Sequence, residues 1–219
     1  MKGLWIFLAT FLYALPLFAA ERACADAAAK GNLVHISYNY GELGFDASKT
    51  TNEISQICQD NAAGCFRRNG GVRTLEVKDK SFNVGRTRCI APEIWVTYDF
   101  SGSAIFITKE YSPCSTRAVF RHELQHFLIW KTSRDWFLRH LQHAMKKMAQ
   151  DLAFPCPSNT TRCSTNGYRS VKRAVEQVED SWKKIEEGQH NLLDKVDHSD
   201  KDEVNYTVCA PYSLKVDLF

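Results

Sequence analysis

Two histidines four residues apart, with a glutamate directly after the first, constrain this chain more than any other feature in it. The stretch Arg121-His122-Glu123-Leu124-Gln125-His126-Phe127-Leu128 carries the pattern H-E-x-x-H. On an α-helix residues i and i+4 lie on one face one turn apart, so His122 and His126 can both point an imidazole at a single ion if this segment is helical. Glu123 then stands about 100° round the helix, able to take a proton from a water on that ion without being a ligand. Zn2+ suits this chemistry because it lowers the pKa of a bound water to about 7. A catalytic zinc takes three protein ligands and keeps one position open, so the fold must bring a second element back to the level of His126. The flanks Ala118-Val119-Phe120 and Phe127-Leu128-Ile129 are apolar enough for the motif helix to be buried.

The chain opens with Lys2, an apolar run from Leu4 to Phe18, and Ala19-Ala20 before Glu21. That order is the one of a signal peptide, with cleavage after Ala20 or Ala23. The expected organisation is residues 1–20 as signal peptide and 21–219 as a single domain. No later run approaches the roughly 20 apolar residues of a membrane span, so no stable membrane insertion is expected after cleavage. The expected location is secreted or periplasmic. Eight cysteines fit such a location, because an even number after a signal peptide implies four disulfides in an oxidising compartment. Cys58 with Cys65 and Cys156 with Cys163 would each close a short polar loop. Cys89 with Cys114 would staple the strand region to the motif helix, leaving Cys24 with Cys209. No C-x-x-C occurs, which argues against a thiolate zinc cluster. A net charge of +3 is too small to argue for a nucleic-acid partner.

Along the chain, Cys24 to Lys30 and Asp46 to Cys58 are expected to be helical, the latter capped near Ser48 or Thr50. Leu33 to Tyr40 and Val72 to Val77 are expected strands. Glu93–Asp99 and Ser103–Thr108 flank Phe100-Ser101-Gly102 as a β-hairpin would, and its second strand is a candidate edge for pairing with an extended substrate. Ser115 or Thr116 can cap the motif helix, which either restarts near Ser133 or runs on to Phe154-Pro155. From Ser170 to Val196, Val171, Val175, Val178, Trp182, Ile185, Leu192 and Val196 recur at spacings of three and four, broken only by Gln189. That stripe should pack on the motif helix as an antiparallel helical hairpin. The tail from Val204 to Leu218 has strand-like content. The predicted fold class is α+β: a small antiparallel sheet, the H-E-x-x-H helix in a long helical hairpin, and disulfide staples.

The hairpin tests candidates for the third ligand. His140 and His143 lie roughly 21 and 25 Å beyond His126 along a straight helix. His126 to Phe154 is about 42 Å of helix and Tyr168 to His198 about 45 Å, so an antiparallel return brings His198 level with His126. His190 falls roughly two turns short, and Glu176 and Glu179 lie only about 12 to 17 Å past the turn. His198 is therefore the leading candidate, with His190, Glu179 and Glu176 as rivals. Asp194, one turn before His198, could orient its ring.

A signal peptide, a sheet leading into His122-Glu123-x-x-His126, a helical hairpin and the late Asp194-x-x-x-His198 together resemble a group of bacterial secreted zinc-dependent proteases. The resemblance implies a zincin-like metallopeptidase acting on a peptide or protein substrate. His122, His126 and His198 would hold Zn2+, with Glu123 as general base. The alternatives are a zinc amidase acting on cell-wall peptides, or an inactive disulfide-rich secreted binding protein. No oxyanion stabiliser is assigned by the sequence; Tyr206, within reach of His198 along the chain, is a candidate.

Overall fold

Ile94, Val96 and Tyr98 alternate with Glu93, Trp95 and Thr97, which is the period of a strand with one buried face. A computed structural model of the protein describes residues 18–58, 64–68, 70–157, 160 and 163–199, the side chains of residues 72 and 196–199 excepted. Its elements run α1 (residues 18–30), β1 (Val34–Asn39), β2 (Gly44–Lys49), α2 (Thr51–Cys58), β3 (Gly64–Arg67) and β4 (Val72–Val84). They continue with β5 (Thr87–Asp99), β6 (Ala104–Thr108), α3 (Pro113–Asp151), β7 (Phe154–Pro155) and α4 (Tyr168–Ser199). The architecture is α+β, and the chain forms two compact units. Among the described residues the first unit takes 18–38, 73–98 and 137–180, and the second takes 39–72, 99–136 and 181–199. None of the described helices is long and apolar enough to cross a membrane.

In the first unit the sheet is ordered β1-β5-β4, with β7 added to β5 through Cys89 opposite Pro155 and Ile90 opposite Phe154. Contacts climb in step along β1 and β5, from Leu33 with Ile94 to Ser37 with Thr97, so that pair is parallel. A two-residue turn joins β4 to β5, with Gly85 at the positive φ (58°) that tight hairpins need. Ile94, Val96 and Tyr98 are buried, as are Phe137, Leu141, Met145 and Ala149 at every fourth position of α3. Phe137 meets the Tyr98 ring edge-on at 5.2 Å. The Cys24–Cys89 disulfide ties α1 to β5, and Cys156–Cys163 closes the loop after β7.

In the second unit the sheet is ordered β2-β6-β3, parallel between β2 and β6 and antiparallel between β6 and β3. Ile105 and Ile107 of β6 are buried with Val119 of α3, against Leu43, Phe66, Phe120 and Leu124. Cys58–Cys65 staples α2 to β3. Phe100, Trp130 and Trp182 are buried together, the Phe100 ring centroid lying 6.1 Å from Trp130 and 6.0 Å from Trp182. Trp182 Nε1 donates to Ser133 Oγ at 3.1 Å, which fixes α4 against α3 within this unit.

Several expectations are corrected. The sheets are mixed, not antiparallel: more than fifty residues separate β2 from β6, and a crossover of that kind permits parallel pairing. The hairpin at Phe100-Ser101-Gly102 does not form, because β5 and β6 belong to different sheets. Phe100 is fully buried, and its N–H bonds Asn39 O at 2.8 Å instead of closing a turn. Gly41 lies so close there that a Cβ would come within 2.8 Å of Ser101 Cα. Strand β6 is central, flanked by β2 and β3, so it offers no edge to a substrate strand. Asp46 to Lys49 is strand, and α2 starts after Thr50, where Thr50 and Glu53 exchange hydrogen bonds as a capping box. The cap of α3 is Ser112, whose Oγ accepts from Ser115 N at 3.2 Å, with Pro113 at the first helical position. Helix α3 does not restart at Ser133, whose hydroxyl bonds back to Trp130 O. Cys24 pairs with Cys89, so neither Cys89–Cys114 nor Cys24–Cys209 forms; Cys114 is also disulfide-bonded. Tyr206, Cys209 and the tail from Val204 lie outside the described residues.

Candidate metal centre

The site is built within the second unit from two helical faces. On α3 the four-residue spacing turns His122 and His126 toward each other, with 3.0 Å between their Nε2 atoms. On α4 the same spacing aligns Trp182, Glu186, His190 and Asp194, and Trp182 is the buried end of that row. Trp182 (3%) and Glu186 (1%) are buried, and the side chains beyond them are progressively more exposed, His190 at 19% and Asp194 at 46%. The face thus leads from core to solvent, and its outer member reaches the histidines: Asp194 Oδ1 lies 3.2 Å from His126 Nε2.

His122, His126 and Asp194 form a group whose ligand atoms lie within 4.8 Å of one another, and this group could hold a metal ion. Its donor set fits a divalent metal. Two Nε2 atoms and a carboxylate oxygen face each other at 3.0 and 3.2 Å. Ligand atoms on a tetrahedral zinc with bonds of about 2.0–2.1 Å stand about 3.3 Å apart. Two imidazoles and a carboxylate also satisfy the preference of such ions for nitrogen and oxygen donors.

Glu123 is buried beside this group. Its Oε2 accepts the N–H of Phe66, on strand β3, at 2.6 Å. Burial pushes its carboxyl above the usual carboxylate range. The adjacent His122, the Phe66 N–H and His190 oppose that shift, whereas Asp194 reinforces it.

The rivals for a ligand role are placed as follows. The His190 ring meets His126 end to end, with 2.7 Å between their Nδ1 atoms. Glu179 lies in the first unit, where it accepts the Tyr98 hydroxyl at 2.7 Å and faces Arg73. Burial and that carboxylate push the Tyr98 hydroxyl far above its usual range. Glu176 pairs with Lys172 at 3.8 Å. His198 lies in the last turn of α4, one turn beyond Asp194, and its side chain is outside the described ones. Sequence reasoning gave Asp194 only an orienting part and did not use Glu186 or Arg68. The signal for the first two is the four-residue recurrence Glu186-His190-Asp194 on a face that otherwise carries the apolar stripe.

No protein-family model, curated protein or solved structure matches this chain.

Proposed function

We propose that the chain is a zinc-dependent metallopeptidase of an oxidising, extracytoplasmic compartment. The observation that carries this reading is the convergence of His122, His126 and Asp194, with the buried carboxyl of Glu123 directly beside them. His122 Nε2, His126 Nε2 and Asp194 Oδ1 would hold the ion, and His198, on the same face of α4, is the rival to Asp194. Bound zinc would supply Lewis acidity toward a carbonyl oxygen and toward water.

Glu123 moves the proton. Its Oε2 is held by Phe66 N–H, which leaves Oε1 to take a proton from the attacking water and pass it to the leaving amine. Phe66 fixes the carboxylate in place, so little reorganisation is needed when the proton moves. The disulfides support an oxidising compartment, and export through residues 1–20 would provide it.

A zincin-like arrangement in a helical hairpin is part of the proposal. Its support is the order of contacts: Ser133 meets Trp182 and His126 meets His190, so advance along α4 matches retreat along α3. The test is Glu123→Ala beside wild type, assayed on a mixed peptide library and on cell-wall peptides. The proposal expects unchanged zinc content with turnover lowered about 100- to 10,000-fold, the usual share of a general base. Undiminished turnover in Glu123→Ala would sink it, and cleavage confined to cell-wall peptides would favour the amidase alternative.

A further inference from the structure

We infer that Glu186 and His190 act as positioning residues that fix which nitrogen of His126 faces the metal position; the inference rests on the metal reading above. Four side chains stand in line. Arg68 Nη1 contacts Glu186 Oε1, that same oxygen lies 3.5 Å from His190 Nε2, and His190 Nδ1 lies 2.7 Å from His126 Nδ1.

The hydrogens can be assigned by exclusion. A neutral imidazole carries one N–H and one acceptor nitrogen. Glu186 is 1% exposed and paired with a guanidinium, so its carboxylate only accepts, and the His190 hydrogen belongs on Nε2, facing it. His190 Nδ1 is then an acceptor. A contact of 2.7 Å to His126 therefore needs the hydrogen on His126 Nδ1. His126 Nε2 keeps its lone pair and faces His122 Nε2 at 3.0 Å and Asp194 Oδ1 at 3.2 Å. Ligand histidines usually give their other N–H directly to a carboxylate, a carbonyl or a water. Here an imidazole is interposed, and the carboxylate acts one ring further back. Glu186 is buried, so its carboxylate acts on His190 Nε2 with little screening by water.

A purely structural reading would have Arg68, Glu186 and His190 only pinning α4. The test separates the two on the full chain, using zinc affinity by chelator competition and the visible spectrum of the cobalt form. His190→Leu removes the acceptor for His126 Nδ1, and His190→Gln restores one at similar size. The relay predicts zinc affinity lowered about 10- to 100-fold with a changed cobalt spectrum in His190→Leu, and near wild-type values in His190→Gln. Glu186→Leu, which removes the oxygen facing His190 Nε2, should follow His190→Leu; if that variant does not fold, the two substitutions at His190 decide alone. Wild-type affinity and spectrum in His190→Leu, or equal losses in both variants, would overturn the relay. His122→Ala is the control: if it binds zinc as tightly as wild type, the metal reading itself is wrong.

Discussion

Replacing Trp182 with alanine should unseat the ligand-bearing face of α4. The indole is 3% exposed, meets Phe100 edge-on at 6.0 Å and donates from Nε1 to Ser133 Oγ at 3.1 Å. Truncating a buried tryptophan to alanine costs about 3–5 kcal/mol, of which a buried hydrogen bond accounts for about 0.5–1.5. At about 2–4 °C per kcal/mol for a chain of this size, Tm should fall by about 6–20 °C. Trp182→Phe keeps most of the apolar contact and should cost far less. A double-mutant cycle with Ser133→Ala should recover a coupling of about 1 kcal/mol. The assay is urea unfolding of metal-free protein, so that bound ion does not add its own stabilisation. Because Glu186, His190 and Asp194 follow at one-turn intervals, Trp182→Ala should also weaken zinc binding. A loss below about 1 kcal/mol, or Trp182→Phe as damaging as Trp182→Ala, would refute the anchoring role.

Other outcomes follow from the same contacts. Burial pushes the Asp79 carboxyl up, but hydrogen bonds from Thr165 and Ser164 outweigh it and leave it below its usual range. Its contribution is therefore complete above about pH 3.9 and is lost as pH falls through the lower folded-state value. Asp79→Asn should flatten the acid limb of an unfolding-versus-pH curve, and an unchanged limb would contradict the clamp. Loop-closure entropy ranks the disulfides. Removing Cys24–Cys89, which spans 65 residues, should cost about 4 kcal/mol, and removing Cys156–Cys163, which spans 7, about 2 kcal/mol. The reverse order in denaturant midpoints would contradict that model. Asp194→Asn should lower zinc affinity more than His198→Ala; the opposite ranking would return the third ligand to His198.

What could be read from the chain was whatever local geometry determines. A four-residue spacing has one meaning on a helix, so His122 facing His126 was legible, as were the seven-residue loops closed by Cys58–Cys65 and Cys156–Cys163. Long-range choices were not. Cys24 meets Cys89 because α1 lies beside β5, and no spacing encodes that neighbour. Phe100 reads as a turn residue between two strands, yet it is buried against Trp130 and Trp182 while the chain changes sheets. The strand pattern showed that β5 and β6 were strands without showing which sheet each joined. Asp194 and His198 share one face of α4, and helix length alone could not separate residues one turn apart.

Everything proposed for this site depends on His122 and His126 holding a metal. The most direct test is the zinc content of dialysed wild type beside the double variant His122→Ala/His126→Ala, with circular dichroism to show that the variant is folded. Wild type should retain one zinc per chain and the variant none. Wild type that keeps no zinc, or a folded variant that keeps as much as wild type, would contradict it.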